Sequence, residues 1–333
     1  MMAGMGRTML AAWIENGRVE LRELPVPRPR RGEALIRVHC AGICNTDLEL
    51  LAGYYGFRGV PGHEFVGTVV EGSPRWLGKR VVGGINIGCG RCPRCAEGLK
   101  RHCARRRVLG ILGHPGALAE FITLPEDNLH AVPRSVPDHA AVFCEPLAAA
   151  CEILEQVRIP RRARAAVLGD GKLGLLCAQA LAAAGVQVTV FGRHPHRAQW
   201  LARRGIRWLT AARRPAHAFR FVVEATGSAN GLREALELVS PCGTVVLKTT
   251  THAPVEADLA RLLVVPEVTL VGSRCGPFPP ALRLLRRGQV DTAPLVDSTL
   301  PLAEIAKAFA RAQAPGALKV LVECRPPGAS SAR

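Results

Sequence analysis

The chain of 333 residues is long enough for two domains, and apolar residues make up 48% of it, which is ample for a sizeable core. Its formal charge is +17, but only six of its 44 basic residues are lysines, the arginines are scattered, and aromatic residues are 5%. A nucleic-acid surface needs clustered basic residues and aromatic platforms, so this composition argues against one.

The N-terminal stretch turns polar at Glu15 without a continuous apolar segment. We therefore expect no signal peptide and a cytoplasmic location. No apolar run reaches the roughly 20 residues of a membrane helix, so no membrane association is expected. Cytosolic thiols stay reduced, which disfavours disulfides for the cysteine-rich stretch described below.

Short strands separated by turns are predicted over residues 7–82. The segments "RTMLAAWI", "RVELREL", "EALIRVHCAG" and "FVGTVVEG" are apolar, β-branched or alternating, with Pro and Gly between them. Residues 84–105 hold a cysteine cluster, and "AEFITLP" then resumes the strand pattern.

The pattern changes near residue 138. "DHAAVFCEPLAAACEILEQV" has helical periodicity, and the strands "AAVLG", "VQVTVFG" and "FRFVVEAT" are each followed by a helical segment. This βαβ rhythm predicts an α/β protein with a doubly wound parallel sheet. We place the β-rich domain at 1–146 and 284–333, with a metal lobe at 86–105, and the nucleotide-type domain at 147–283.

Four cysteines lie in "NIGCGRCPRCAEGLKRHC", namely Cys89, Cys92, Cys95 and Cys103. A spacing of two residues lets neighbouring thiolates turn toward one ion, and four of them complete a tetrahedral zinc site. Such a site has no open position for substrate, so its role is structural, and the metal replaces a core that this lobe lacks. The alternatives are four free thiols, a nucleic-acid zinc ribbon, which usually pairs two CxxC knuckles, or His102 in place of Cys103.

Other potential metal ligands are dispersed along the first domain. Cys44 follows a predicted strand, His63 and Glu64 follow a Pro-Gly turn, and Cys144 and Glu145 lie at the start of a helix. A single His or Cys is more often an ordinary structural residue. Alongside the cysteine lobe and the parallel-sheet domain, however, these residues form a pattern.

A glycine-rich turn, "VLGDGKLGLL", follows the strand "AAVL" and opens a helix, which is the context expected of a dinucleotide-binding motif. Gly169 permits the tight turn, Gly171 lets a pyrophosphate approach the backbone, and Gly174 allows close packing of helix on strand. Lys172 and Leu173 lie at the helix start, whose N–H groups favour phosphate. The charge of Asp170 within the turn is unusual, and it would disfavour a bound phosphate unless its side chain points away.

The end of the second strand of this domain predicts the cofactor. An NAD enzyme usually has Asp or Glu there for the ribose 2′-hydroxyl, whereas this chain has Gly192 followed by Arg193. The missing carboxylate would make space for a 2′-phosphate that Arg193 can bind, with Arg197 and His194 assisting. NADP is therefore favoured over NAD.

Taken together, these segments resemble the zinc-dependent medium-chain dehydrogenase/reductase family. The resemblance runs from "GEALIRVHCAGICNTD" through "GVPGHEFVGTV", the cysteine lobe, "EPLA", the glycine-rich turn and "EATGS" to "LKVLV". It looks closest to the branch of threonine, sorbitol and glucose dehydrogenases. The resemblance implies a GroES-like catalytic domain, a Rossmann cofactor domain and a homo-oligomer, either a dimer or a tetramer.

The resemblance also implies roles for individual residues. Cys44, His63 and Glu145 would bind a catalytic zinc, with Glu145 favoured over the adjacent Cys144. Glu64 would be an alternating ligand or a neighbour of the ligands, and Asp47 would orient the histidine. Thr46 would accept the alcohol proton.

Two further positions match family segments that line the nicotinamide, namely Thr226 and Gly272. The function implied is hydride transfer between a zinc-bound alcohol or carbonyl and NADP(H), with two zinc ions per chain and a small-molecule alcohol or polyol as substrate. The rival hypotheses are a zinc-free quinone or enoyl reductase of the same superfamily and a non-catalytic protein that binds zinc and nucleotide.

Overall fold

The computed structural model describes residues 7–250 and 254–324. Within them, no helix combines the length and the apolar character needed to cross a membrane. In chain order the strands are β1 (Thr8–Glu15), β2 (Arg18–Pro25), β3 (Glu33–Gly42), β4 (Glu64–Glu71), β5 (Arg80–Gly83), β6 (Asn86–Ile87), β7 (Arg107–Leu109), β8 (Gly113–His114), β9 (Phe121–Pro125), β10 (Leu129–Ala131), β11 (Arg164–Leu168), β12 (Gln187–Gly192), β13 (Arg207–Thr210), β14 (Phe219–Glu224), β15 (Val239–Leu247), β16 (Thr269–Gly272), β17 (Val296–Pro301) and β18 (Lys319–Glu323).

The α-helices of the described residues are α1 (Asn45–Leu51), α2 (Pro93–Ala96), α3 (Asp138–Ala141), α4 (Cys144–Gln156), α5 (Lys172–Ala183), α6 (Ala198–Ala202), α7 (Gly231–Leu238), α8 (Phe278–Arg286) and α9 (Ile305–Gln313). Two compact units contain these elements. The first unit comprises Met1–Glu145 and Thr292–Arg333, and the second comprises Pro146–Asp291.

The first unit is built on a seven-stranded sheet with the order β10-β5-β4-β3-β18-β17, in which β9 also pairs with β3. Strand β3 is central because it pairs with β4, β9 and β18. Its residues are therefore mostly buried. The antiparallel hairpin of β1 and β2 packs Met9 and Ala11 against Leu35 and Phe121 in one apolar cluster. The cysteine lobe carries the small sheet of β6, β7 and β8.

The second unit is a six-stranded sheet with the order β13-β12-β11-β14-β15-β16, and every pair in it is parallel. This is the doubly wound order of a dinucleotide-binding domain, in which the order reverses beside the first strand. Its core includes Phe191 and Phe219, whose rings meet edge to face with centroids 5.8 Å apart. The predicted fold class is confirmed.

Three details differ from the sequence analysis. The helical segment from residue 138 is interrupted between α3 and α4, because Pro146 cannot donate a hydrogen bond to Val142 and its ring would clash with that carbonyl. The first unit resumes at Thr292 and not at 284. The sequence analysis did not identify α8, which buries Phe278 and Leu282 within the second unit.

Candidate metal centre and cofactor turn

A buried carboxylate joins the two segments that carry the first candidate ligands. Cys44 caps the N-terminus of α1, and its backbone N–H donates to Oδ2 of Asp47 over 2.8 Å. The other oxygen of Asp47 accepts a hydrogen bond from the N–H of Gly62 over 3.0 Å. Asp47 is completely buried, so it fixes the turn before His63 against the start of α1.

Cys44, His63 and Glu64 form one compact group. One ligand atom from each lies within 4.8 Å of the others, and both His63 and Glu64 are buried. Nδ1 of His63 lies 3.6 Å from Oδ1 of Asp47. Burial disfavours a charged imidazole, but the carboxylate of Asp47 and the thiol of Cys44 hold the pKa of His63 well above its ordinary value.

This group fits a divalent cation. Nδ1 of His63 faces Asp47, whereas Oε1 of Glu64 is buried and has no hydrogen-bond partner within the described part of the chain. A buried polar atom without a partner is costly, and sulfur, imidazole and carboxylate together are the ligands that zinc accepts. Asp47 adds the carboxylate that commonly orients a metal-binding imidazole.

The sequence analysis missed Lys319, which belongs to the same group. It lies on β18 and is 1% exposed, and its Nζ forms an ion pair with Oε2 of Glu64 and donates to the carbonyl oxygen of Ile43 over 3.3 Å. Burial opposes its charge, but Glu64 and Cys44 hold the pKa of Lys319 above its usual value. A Cβ on Gly42 would press on both Glu64 and Lys319, so the pair needs a glycine there. The signal in the sequence was a lysine within the apolar strand "LKVLV".

Three other predicted residues have different surroundings. Glu145 is half-buried in the first turn of α4, and neither it nor the fully buried Cys144 belongs to the group formed by Cys44, His63 and Glu64. Ligation by Glu145 therefore stays a prediction. Oγ1 of Thr46 lies 3.8 Å from Sγ of Cys44, so its hydroxyl is next to the group.

The four cysteines of the lobe form a second group, in which one ligand atom from each lies within 4.8 Å of the others. Sγ of Cys92 lies 3.5 Å from that of Cys95 and 3.7 Å from that of Cys103. A tetrahedron with zinc–sulfur bonds of about 2.3 Å has edges of about 3.8 Å, so these separations fit zinc. A backbone N–H of Arg91 lowers the pKa of Cys89 to about 6, while burial and the neighbouring thiols outweigh the backbone N–H of Cys95 and raise the pKa of Cys92 to about 11. His102 is exposed and is not a member of the group.

The glycine-rich turn leaves space for a phosphate at the start of α5. Gly169 has φ of +101°, in the left-handed region that favours glycine, and a Cβ on Gly174 would overlap the carbonyl oxygen of Gly169. A Cβ on Gly171 would meet nothing within 4 Å. The N–H groups that begin the helix at Lys172 and Leu173 lack acceptors within the helix, so this end attracts an anion.

The end of β12 differs from the expectation that Gly192 leaves empty space. A Cβ there would overlap the carboxylate of Asp170, which fills that volume. Arg193 is exposed, whereas Arg197 is buried and donates to the backbone oxygen of Asp170. Arg193 is thus the arginine whose side chain extends into solvent at this position.

Thr226 follows the end of β14, and Gly272 is the last residue of β16. Thr226 donates through both its N–H and its hydroxyl to Oε1 of Glu224, over 2.7 and 2.6 Å. Glu224 is buried and also accepts a hydrogen bond from Thr249, so it organises this turn, a role that the sequence analysis did not assign. Gly272 is exposed at the end of β16, and a Cβ there would meet nothing within 4 Å.

Comparisons with known proteins agree with this architecture. Residues 30–134 match the alcohol dehydrogenase GroES-like domain, and residues 173–287 match the zinc-binding dehydrogenase family. D-altritol 5-dehydrogenase of Agrobacterium fabrum is 33% identical, and the match covers 92% of this chain and 97% of that protein.

Two solved structures share the fold over nearly their whole length. A zinc-binding dehydrogenase of Sinorhizobium meliloti 1021 bound to NADP has a TM-score of 0.87 at 27% identity, covering 95% of this chain and 99% of its own. An alcohol dehydrogenase of Escherichia coli CFT073 in complex with NADH has a TM-score of 0.87 at 25% identity, covering 96% and 100%. The chain therefore belongs to the zinc-dependent medium-chain dehydrogenase/reductase family, as an oxidoreductase that acts on alcohol groups.

Proposed function

We propose that the chain is a zinc-dependent polyol dehydrogenase that transfers a hydride between a secondary alcohol and NADP(H). The observation that carries this proposal is the compact group of Cys44, His63 and Glu64, in which Oε1 of Glu64 is buried and lacks a partner among the described residues. A polyol is the substrate class because the relative that is 33% identical is a D-altritol 5-dehydrogenase.

Zinc at this group would act as a Lewis acid that stabilises the alkoxide form of a bound alcohol. We assign Cys44 and His63 as two ligands and Glu145 as the third, with Glu64 as the alternating carboxylate. A thiolate and a carboxylate together offset the charge of the ion, while three protein ligands leave one position for the substrate. The four-cysteine lobe would hold a second, structural zinc.

The side chains around the group supply orientation and a proton acceptor. Asp47 holds the segments of Cys44 and His63 together through its bonds to two backbone N–H groups. The hydroxyl of Thr46, 3.8 Å from the thiol of Cys44, is the group to which the substrate hydroxyl passes its proton. Glu49 or the cofactor ribose would carry that proton onward.

The choice of NADP rests on charge at the end of β12. Arg193 is exposed beside Gly192, and His194, His196 and Arg197 follow within one turn. Asp170 is the acidic side chain that contacts this segment. Because Asp170 already balances the buried Arg197, the group that would meet a 2′-phosphate is the exposed guanidinium of Arg193, which suits a phosphate.

The test is a panel of polyols, simple alcohols and aldehydes, assayed with each nicotinamide cofactor, together with metal analysis of the purified protein. We expect two zinc ions per chain and oxidation of secondary alcohols with NADP. Absence of zinc from the purified protein, combined with reduction of quinones or enones, would favour the zinc-free reductase. Two zinc ions and tight nucleotide binding without turnover would favour the non-catalytic protein.

A further inference from the structure

The side chain of Asp170 has an unusual position within the glycine-rich turn. It is the residue between Gly169 and Gly171, and it is only 4% exposed. Its carboxylate turns away from the start of α5 and lies over Gly192 at the end of β12, where any Cβ would overlap it. The carboxylate thus fills the volume of a side chain at position 192.

Hydrogen bonds use both oxygens of this carboxylate. Oδ2 accepts from the N–H of His194 over 2.9 Å and from Nε1 of Trp208 over 3.2 Å. Oδ1 accepts from Nδ1 of His194 over 2.8 Å, and it lies 3.7 Å from the guanidinium of Arg197. A carboxylate offers about four lone-pair sites, so little capacity is left for a ribose hydroxyl.

These contacts fix the chain that follows β12. The carboxylate holds the backbone and ring of His194, and the backbone oxygen of Asp170 accepts from the guanidinium of Arg197. Arg193 directly precedes this anchored segment, and its own side chain is exposed. The carboxylate also balances the charge of the buried Arg197. Arg193 therefore extends from a backbone that is held on one side by β12 and on the other by Asp170.

We propose that Asp170 and Gly192 are a reciprocal pair that determines cofactor selectivity. In this pair Asp170 is a positioning residue. Its carboxylate fills the volume of the absent side chain at residue 192 and accepts its hydrogen bonds from donors within the protein. It thereby orients Arg193 toward the 2′-phosphate of the cofactor. The inference rests on the proposed NADP(H) function. A carboxylate on residue 192 and one on residue 170 exclude each other in space.

Binding of two adenosine nucleotides tests this without turnover. Adenosine 2′,5′-bisphosphate and adenosine 5′-monophosphate differ only in the 2′-phosphate, and calorimetry gives the affinity of each. We expect wild type to bind the bisphosphate roughly tenfold tighter or more, and Arg193→Ala to remove that preference. Asp170→Asn, which keeps the shape but weakens the anchoring, should lose most of the preference while it binds 5′-monophosphate within about threefold of wild type.

Asp291→Asn is the matched control. Asp291 lies in the same unit, accepts from the indole of Trp200 over 3.3 Å and lies 3.5 Å from the guanidinium of Arg204. It should leave both affinities unchanged. An Asp170→Asn protein that keeps the full preference, or that loses both nucleotides equally, would overturn the positioning role.

The exchange of the two residues tests the reciprocity. Gly192→Asp alone should lower the melting temperature and gain no affinity for 5′-monophosphate, since the carboxylate of Asp170 already fills the space. Adding Asp170→Gly should restore the melting temperature and shift the preference to 5′-monophosphate, so that the two substitutions are strongly non-additive. Additive effects would overturn the pair.

The outcomes separate this inference from the proposed function. A wild-type protein that prefers the 2′-phosphate but oxidises no alcohol would contradict the dehydrogenase and support the pair. A wild type that shows no preference for the 2′-phosphate would overturn the role of Asp170, while alcohol oxidation with NAD in the same preparation would leave the dehydrogenase standing.

Discussion

Substitution of Lys319 by Met gives a sharp test of the metal group. The exchange keeps the length of the side chain but removes the cation that pairs with Glu64, and both residues are at most 1% exposed. Removal of one partner from a buried ion pair costs about 3–5 kcal/mol, since it leaves an uncompensated charge. In this case the thiol of Cys44 and the carboxylate of Asp47 lie close by, so the remaining charge is further disfavoured.

A divalent ion at the same group should offset this loss. We expect Lys319→Met to lower the free energy of unfolding by about 3–5 kcal/mol in protein stripped of metal, and by clearly less once zinc is restored. The assay is urea denaturation of both forms. Glu64→Gln combined with Lys319→Met should recover stability in the stripped protein, because a neutral amide needs no counter-charge.

Lys248→Met is the control for the loss of a buried ammonium. Lys248 is 7% exposed, and its Nζ donates to the carbonyl oxygens of Ala149 and Arg274 and to the hydroxyl of Ser273, all in the second unit. Its replacement should destabilise the stripped and zinc-loaded proteins equally. If Lys319→Met also costs the same in both forms, within about 0.5 kcal/mol, the reasoning that links Lys319 to the metal is refuted.

Three further outcomes are expected. Cys103→Ser should reduce the zinc content from two ions to one and lower the melting temperature, as atomic absorption and calorimetry would show; unchanged zinc content would contradict the lobe as a metal site. Glu145→Ala should abolish alcohol oxidation and Cys144→Ala should not, and equal steady-state rates in both variants would remove Glu145 from the ligand set. Burial opposes ionisation of Asp170, but the hydrogen bonds from His194 hold its pKa below the ordinary value. Its charged form therefore stabilises the fold above about pH 4, and this contribution is lost as the pH falls through the lowered pKa. Asp170→Asn should accordingly lower the free energy of unfolding by about 1–3 kcal/mol at neutral pH, and the difference from wild type should disappear in acid. A difference in unfolding free energy that does not change with pH in urea titrations would contradict the assignment.

The sequence predicted most of the fold because its periodicity is strong. "EALIRVHCAG" coincides with β3, and the βαβ rhythm identified β11, β12 and β14 of the parallel sheet, although it did not identify the four-residue β13. The elements that were missed carry weaker local signals. Strands β6 and β8 have two residues each, which is too short for a periodic pattern. Helix α8 has a regular apolar face, but it begins with "FPP", and proline is usually a signal against a helix.

The candidate ligands were predictable for a different reason, since zinc needs particular side chains at particular spacings. The four cysteines of the lobe lie within fifteen positions, from Cys89 to Cys103, so their spacing alone brought them together. Cys44 and His63 could be predicted as ligands of one ion only from the family resemblance, because they lie on different elements that Asp47 connects.

The partners of two buried charges, Lys319 and Asp170, were not predicted, and the physical cause is that these partners are distant in sequence. Lys319 meets Glu64 across 255 positions, and Asp170 meets Trp208 across 38. Short-range sequence patterns do not reveal such distant partners. They do indicate that a partner must exist, because a buried charge without a partner is too costly to retain. A lysine between leucine and valine in "LKVLV" was a signal of this kind. In a chain with 38 arginines among 44 basic residues, a lysine at a buried position points to a compact ammonium site that a planar guanidinium would not fill in the same way. Lys248 and Lys319 fit this description, since both are buried and both ammonium groups are held by oxygens.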